Sequence, residues 1–197
     1  MACSIGQIIA TLRSIFMLKN PYNIVLIGMP GSGKSTVGII LAKLTSHDFV
    51  DTDVLIQTSQ GRTLQDIVDT EGYMVLREIE ERILLKLDCF NHVIATGGSA
   101  VYSHAAMTHL KSNGVVVFLN VELPVLESRI HNFATRGLAK RPDQSIEDLF
   151  EERFVLYTKY ADVTIECSDF TQEEVCEDII SSIPTGWGNV RRHKNRR

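Results

Sequence analysis

The chain lacks several features that would point to a membrane protein or to a cysteine-bound zinc site. No apolar run reaches the roughly 18 residues that a membrane-spanning helix requires. The four cysteines form no CxxC pair, so a zinc site is not expected; they are Cys3, Cys89, Cys167 and Cys176. Such cysteines indicate reduced thiols, and we expect a cytoplasmic protein with no membrane partner.

Basic charge is also scarce outside one end of the chain. The sequence has 20 basic and 24 acidic residues, and five of the basic ones lie in the terminal segment RRHKNRR. The rest of the chain is therefore acidic, which argues against a body that grips nucleic acid. We expect residues 185–197 to be a solvated basic tail and residues 1–22 to be an N-terminal extension.

The remaining chain has the composition and pattern of one α/β domain. With 197 residues, 44% of them hydrophobic, it is long enough to bury a single core. Apolar, β-branched runs typical of buried parallel strands lie at 23–28, 48–52, 92–97, 114–120 and 162–167. Segments with helical periodicity lie at 34–45, 64–88 (broken near Gly72), 103–112, 122–132, 146–160 and 172–182. This alternation predicts a three-layer α/β/α domain over residues 23–184, with a five-stranded parallel sheet.

The first predicted strand leads directly into the pattern GxxxxGKS at residues 28–35. Glycines let backbone N–H groups converge on an anion, and the N-terminus of the following helix adds the positive end of its dipole. The pattern predicts a nucleoside triphosphate site formed by Gly28, Gly31, Ser32, Gly33, Lys34, Ser35 and Thr36. Within this site we expect Lys34 to reach the β- and γ-phosphates and the Ser35 hydroxyl to bind Mg²⁺.

The second predicted strand ends in the segment DTD, which carries two carboxylates, Asp51 and Asp53. The carboxyl ends of strands in such sheets face the ligand crevice, and residues i and i+2 of a strand point the same way. One carboxylate is then suited to serve the metal and the other to serve a hydroxyl group of an acceptor. The alternative is that Asp53 merely caps the next helix.

Two further signals are weak when each is taken alone. Arg77 lies on a helix rich in acids, where an ion pair with Glu80 or Glu81 would explain it equally well. The paired glycines Gly97 and Gly98 end the third predicted strand. Glycines at that place either admit a ligand close to the backbone or simply make a turn.

A later arginine completes a recognisable order of motifs. Arg153 precedes Tyr157 by four residues, so both lie on one helical face. The P-loop, the DTD segment, Arg77, the glycine pair and this Arg-x-x-x-Tyr pattern together resemble the shikimate kinase family over residues 23–183. The resemblance implies a nucleoside-monophosphate-kinase-like fold with strand order 2-3-1-4-5. It also implies ATP as donor with Mg²⁺, and the 3-hydroxyl of shikimate, a carboxylate-bearing alcohol, as acceptor. We expect a monomer.

On the acceptor side, the resemblance assigns a role to each candidate. Asp53 corresponds to the acid that binds the acceptor hydroxyls and takes the proton. Arg77 and Arg153 correspond to the two arginines that hold the acceptor carboxylate. Gly97 and Gly98 correspond to the first two of three glycines that line the acceptor.

On the nucleotide side, Asp51 corresponds to the acid that holds Mg²⁺ through water. Arg129 precedes Arg136 by seven residues, which is the family's spacing between an adenine-stacking arginine and a catalytic lid arginine. The resemblance therefore favours Arg136 as the lid arginine, within a lid at 132–145. Arg141 is the alternative, because a proline follows it as in the family's lid.

Departures from the family pattern concentrate on the acceptor pocket. Ser99 stands where a third glycine is usual, Tyr73 replaces a glutamate, and Leu76 replaces a phenylalanine. These changes leave open a related kinase for another small hydroxy acid such as gluconate. A catalytically silent ATP-binding regulatory protein is a further alternative. A GTPase is disfavoured because the sequence has no NKxD segment.

Overall fold

The computed structural model describes residues 22–129 and 137–183. Five strands within these ranges form one sheet: β1 (Asn23–Ile27), β2 (Asp48–Asp51), β3 (His92–Ala95), β4 (Gly114–Asn120) and β5 (Val163–Glu166). Their order is β2-β3-β1-β4-β5 and every neighbouring pair is parallel. The predicted strand order 2-3-1-4-5 is therefore confirmed.

The central strand explains why the strand segments are almost uniformly apolar. Every residue of β1 is buried. Val25 is paired with Ile94 of β3 on one side and with Val116 of β4 on the other. Because helices cover both faces of a parallel sheet, neither face of β1 needs polar residues.

Eight α-helices lie within the described ranges: α1 (Lys34–Thr45), α2 (Thr52–Gln60), α3 (Leu64–Glu71), α4 (Tyr73–Lys86), α5 (His104–Asn113), α6 (Leu123–Arg129), α7 (Ile146–Tyr160) and α8 (Gln172–Ser182). A 3₁₀ turn at Ala100–Tyr102 precedes α5. The first helix packs against α8, whereas α5 packs against α4. This arrangement confirms the predicted three-layer α/β/α class.

Helix α2 is an element that the sequence analysis did not predict. Its segment TDVLIQTSQ combines β-branched and polar residues, which are poor helix formers. The ends of the helix are nevertheless well defined. The Asp51 side chain caps its start by accepting from the Asp53 N–H, and Gly61 ends it at a φ of 64°. The predicted break near Gly72 is confirmed, because this residue separates α3 from α4 at a φ of 90°.

Two separate apolar clusters stabilise the domain. The larger one surrounds the sheet and includes all the apolar residues of β1 and β4. The smaller one joins α2, α3 and α4, and consists of Ile56, Ile67, Leu76 and Ile79 together with Ala139 from the segment before α7. The region beneath the acceptor side of the predicted site thus has a core of its own.

None of the helices in the described ranges is long and apolar enough to cross a membrane. The N-terminal extension, apart from Tyr22, and the basic tail lie outside the described residues. Arg136 and residues 130–135 lie outside them as well.

Candidate active site

A cavity of about 700 Å³ opens at the carboxyl ends of β1 and β3. Its walls come from the loop after β1, from α1 to α4, from the glycines after β3, from residues 137–139 and from Arg153 on α7. Distant parts of the chain therefore meet here, as the rule for ligand sites in open α/β sheets requires.

The loop after β1 has the backbone of a phosphate-binding loop. Gly28, Gly31 and Gly33 have φ angles of 146°, 83° and 93°, a backbone conformation that residues other than glycine rarely adopt. A Cβ atom at Gly28 would lie 2.7 Å from the Leu119 carbonyl oxygen. Helix α1 begins after Gly33 with no side-chain cap, so its first N–H groups stay available to an anion.

Lys34 is buried at the start of α1 and faces the cavity. Its Nζ donates to the carbonyl oxygens of Gly28 at 2.9 Å and Met29 at 2.8 Å. Burial lowers the pKa of Lys34 to about 8, although the nearby Asp53 carboxyl opposes the shift. The ammonium group is therefore held within the loop, where it is suited to contact phosphate oxygens.

Ser35 and Asp51 lie together beside the loop. The Ser35 Oγ donates to the Asp51 Oδ2 at 2.6 Å, and the other carboxylate oxygen accepts from the Asp53 N–H at 2.9 Å. A hydroxyl and a carboxylate are the hard oxygen donors that Mg²⁺ prefers, so this pair fits the ion. No group of three His, Cys, Asp or Glu side chains converges in residues 22–129 and 137–183. The ion would therefore also need phosphate and water oxygens.

Asp53 occupies a different element from the one predicted. Strand β2 ends at Asp51, so Asp53 lies in the first turn of α2 and not two residues along a strand. The capping role considered for Asp53 belongs to Asp51. The Asp53 side chain nevertheless lines the cavity, and burial raises the pKa of its carboxyl while Lys34 opposes the rise.

The two candidate carboxylate-binding arginines converge on one atom. Arg153 is only 1% exposed and donates to the Ala139 carbonyl oxygen at 3.0 Å. Arg77 donates to the same oxygen at 2.9 Å. The buried Nε atoms of both arginines have no hydrogen-bond partner among the described residues. Both guanidinium groups therefore retain donors for an anionic ligand.

Arg77 contributes from the edge of the main cavity. It lines an adjoining cavity of about 300 Å³, which shares Glu80 and Ser99 with the larger one. Its guanidinium carbon lies 3.5 Å from the ring centre of Tyr102. The ion pair with Glu80 or Glu81 considered above is not among the ion pairs of the described residues.

The glycines after β3 make a tight wall. A Cβ atom at Gly98 would lie 2.8 Å from an Arg153 nitrogen and 2.9 Å from Pro30. The Tyr157 hydroxyl donates to the Gly98 carbonyl oxygen at 2.7 Å. The amide of Gly97 donates to the Thr52 hydroxyl at 3.0 Å. The glycine pair therefore combines both alternatives: it makes the turn after β3, and it forms a part of the cavity wall where other groups pack against the backbone.

Glu80 and Ser99 are cavity residues to which the sequence analysis assigned no function. Glu80 is 2% exposed, and its Oε2 accepts a hydrogen bond from the Ser99 hydroxyl. Burial, and then the charge of Asp53, raise the pKa of Glu80 to about 7. The sequence did contain a signal for Glu80. It follows Arg77 by three residues, so the two side chains lie on the same face of one helix.

The remaining candidates lie around the mouth of the cavity. Arg129 lines it and donates to the Cys167 carbonyl oxygen at 3.3 Å. Of the predicted lid, residues 137–145 are described. Arg141 pairs with Glu152 at 3.2 Å and does not line the cavity. The position of Arg136 stays a prediction.

These features define a P-loop kinase that acts on a small molecule. The loop before α1 and the adjacent hydroxyl–carboxylate pair suit a nucleotide with its metal ion. The buried carboxyl group and the converging arginines suit an anionic acceptor. The comparisons with known proteins make this class specific. The family model for shikimate kinase matches residues 30–184. The chain belongs to the shikimate kinase family, and it is an ATP-dependent phosphotransferase.

Individual relatives agree with that assignment. A shikimate kinase from Rippkaea orientalis is 40% identical over 167 residues, which cover 83% of this chain and 88% of the relative. The solved shikimate kinase from Acinetobacter baumannii, in complex with shikimate, is 32% identical with a TM-score of 0.78 and covers 85% of this chain and 95% of its own. The Aquifex aeolicus enzyme is 34% identical with a TM-score of 0.69, and the match covers 81% and 95% of the two chains.

Proposed function

We propose that this protein transfers the γ-phosphoryl group of ATP to the 3-hydroxyl of shikimate. The observation that carries the proposal is the convergence of Arg77 and Arg153 on the Ala139 carbonyl oxygen, next to the cavity that the phosphate-binding loop also lines. An acceptor with a carboxylate and several hydroxyls matches these groups, and the Acinetobacter baumannii relative is described with shikimate bound.

The donor side positions and neutralises a triphosphate. The N–H groups of the loop and of the first turn of α1 would bind the phosphate oxygens, and Lys34 would contact the β- and γ-phosphates. Ser35 would bind Mg²⁺ directly and Asp51 would hold it through water. When bound, the ion would supply positive charge that neutralises the charge on the phosphates. Arg129 would stack on the adenine, and Arg136 would approach the transferred group from the lid.

On the acceptor side, Asp53 would orient the hydroxyl for in-line attack and accept its proton. The raised pKa of its buried carboxyl makes it a stronger base than an exposed aspartate. Gly97 and Gly98 would let the acceptor ring approach the backbone. Arg77 and Arg153 would bind the carboxylate and so fix which hydroxyl faces the phosphate.

We also propose that residues 132–145 form a lid that excludes water during transfer. The described part of this segment contacts the acceptor side at two places. The Gly137 N–H donates to the Gln65 Oε1 at 2.7 Å, and the Ala139 carbonyl accepts from both arginines. A bound carboxylate would compete for these arginines, so acceptor binding and the position of this segment would be linked.

A coupled assay for ADP release tests the proposed function. The purified chain should turn over ATP with shikimate, and not with gluconate or other hydroxy acids at equal concentration. Preference for another hydroxy acid would replace the acceptor while keeping the kinase. Tight ATP binding with no turnover on any acceptor would favour the regulatory alternative.

We further propose a cytoplasmic monomer with one catalytic domain over residues 23–184. The three cysteines in the described ranges are free thiols, which suits a reducing compartment. Light scattering during gel filtration tests the monomer, since a dimer would double the measured mass.

A further inference from the structure

Ser99 directly follows the glycine pair Gly97 and Gly98, and it lines the acceptor side of the cavity. We propose that Ser99 is a positioning residue that orients the buried Glu80 carboxyl group, so that one carboxyl oxygen remains available to a hydroxyl of the acceptor. The proposal rests on the kinase function proposed above, because it concerns the same acceptor.

The Ser99 hydroxyl has one clear partner. The residue is 8% exposed, and its Oγ donates to the Glu80 Oε2. Ser99 precedes the 3₁₀ turn at Ala100–Tyr102, but its side chain makes no capping hydrogen bond to that turn. The hydroxyl is therefore not explained by local backbone structure, and its contact reaches across to α4.

The second oxygen of Glu80 is the one left for a ligand. Glu80 lines the cavity, and its Oε1 is buried without a hydrogen-bond partner among the described residues. A Cβ atom at Gly97 would collide with this oxygen and lie 2.6 Å from the Asp53 Oδ1. Glu80 and Asp53 thus flank one backbone position. An unpaired buried oxygen is costly, and an acceptor hydroxyl beside Gly97 would satisfy it.

The charges around Glu80 predict the direction in which its pKa should change when the Ser99 hydroxyl is removed. Burial and Asp53 raise the pKa of Glu80, whereas the hydrogen bond from Ser99 and the charges of Arg153 and Lys34 lower it, leaving it at about 7. Tyr157 also lies close enough for Glu80 to raise its pKa. Because the Ser99 hydroxyl stabilises the ionised carboxylate, its removal should raise the pKa of Glu80 further.

The first experiment needs no substrate. Side-chain carboxyl carbons of ¹³C-labelled glutamates are titrated by NMR in the wild type and in Ser99→Ala, with Glu80→Gln identifying the signal. The Glu80 midpoint should lie near 7 in the wild type and move upward in Ser99→Ala. An unchanged midpoint would overturn the proposal. If the wild type failed to phosphorylate shikimate, the proposed function would fall while this titration would still report on Ser99.

The second experiment measures the consequence for the acceptor. Losing one hydrogen bond to a charged group should raise the acceptor KM about tenfold in Ser99→Ala, with kcat and the KM for ATP within about twofold. Ser99→Thr, which keeps the hydroxyl, should recover most of the affinity. In a Glu80→Gln background, Ser99→Ala should add little, because the two residues act as one unit. An equal tenfold effect in that background would overturn the role assigned through Glu80.

A matched control separates positioning from folding. Ser103 lies in the same segment, and its hydroxyl accepts from the Ala106 N–H at 3.0 Å as the cap of α5. Ser103→Ala should lower the melting temperature without changing the acceptor KM or the Glu80 titration. If Ser99→Ala does not fold, Ser99→Gly removes the same hydroxyl and adds no atoms, and the same outcomes apply to it.

Discussion

The two sides of the cavity are built by different means. The phosphate side consists mainly of backbone, held between β1 and α1 by the larger apolar cluster. The acceptor side consists of side chains on α2, α4 and α7, above a small cluster of five buried apolar residues. It also contains the buried charges Glu80 and Arg153. Phosphate recognition therefore depends on local chain geometry, whereas acceptor recognition depends on tertiary packing.

The largest effect should come from the phosphate side. Lys34→Ala removes the only basic side chain of the phosphate-binding loop at residues 28–35, all of which are described. We expect kcat to fall by about 10³-fold or more, because charge neutralisation carries much of phosphoryl transfer. The fold should survive, since the cost of burying this charge offsets the loss of its hydrogen bonds to the Gly28 and Met29 carbonyl oxygens. Steady-state ADP assays and thermal unfolding measure the two effects. Unchanged turnover would exclude the loop from the mechanism.

Asp53→Asn tests the boundary between the two sides, and its effect should be nearly as large. The amide keeps the size of the carboxyl but cannot accept the proton, so kcat should fall by about 10²- to 10⁴-fold. The dissociation constant for ATP should change little, because α2 and its Asp51 cap remain. Kinetics combined with calorimetry of ATP binding measures both quantities. Equal losses in turnover and in ATP affinity would make Asp53 a structural residue.

The same division decides what could be predicted from sequence. The P-loop, the five strands and helices 34–45, 146–160 and 172–182 were predictable, because periodicity and glycine spacing are local signals. Helix α2 was missed because its stability comes from the Asp51 cap and from packing of Ile56. The cap is a local signal that the sequence analysis considered only at Asp53, whereas no local pattern reveals the packing of Ile56.

The acceptor side of the cavity shows most clearly what sequence alone could not predict. Glu80 and Ser99 are 19 residues apart and meet only when α4 packs beside the end of β3. Likewise, Arg77 and Arg153 share the Ala139 carbonyl oxygen across the fold. Their proposed roles came from family resemblance, since the sequence alone left an ordinary helix ion pair as an equal explanation for Arg77.

The arginine pair should give intermediate and unequal effects. Arg153→Ala removes a fully buried guanidinium group that would pair with the acceptor carboxylate. Losing one partner of a buried charge pair costs about 2–5 kcal/mol, so the acceptor KM should rise at least about 30-fold. Arg77→Ala should have a smaller effect in the same direction, because Arg77 is half-buried at the edge of the cavity. Initial-rate kinetics at saturating ATP measures both. Arg82→Ala is the control, since Arg82 lies on α4 with Arg77 but is exposed and lines neither cavity. An unchanged KM in both arginine variants would remove the carboxylate clamp.

The smallest expected effect tests whether the acceptor side behaves as a separate unit. Thr63 begins α3 with a capping box in which its hydroxyl accepts from the Asp66 N–H at 3.1 Å, and Thr171 begins α8 with the same motif. Each Thr→Ala change should lower the free energy of unfolding by about 1 kcal/mol. Hydrogen exchange should then rise in α3 for Thr63→Ala alone. Because α3 packs in the small cluster whereas α8 packs on α1, only Thr63→Ala should raise the acceptor KM, by about twofold. Equal changes in acceptor KM from both variants would mean that the two sides of the cavity lose structure together, and the division between them would not extend to stability.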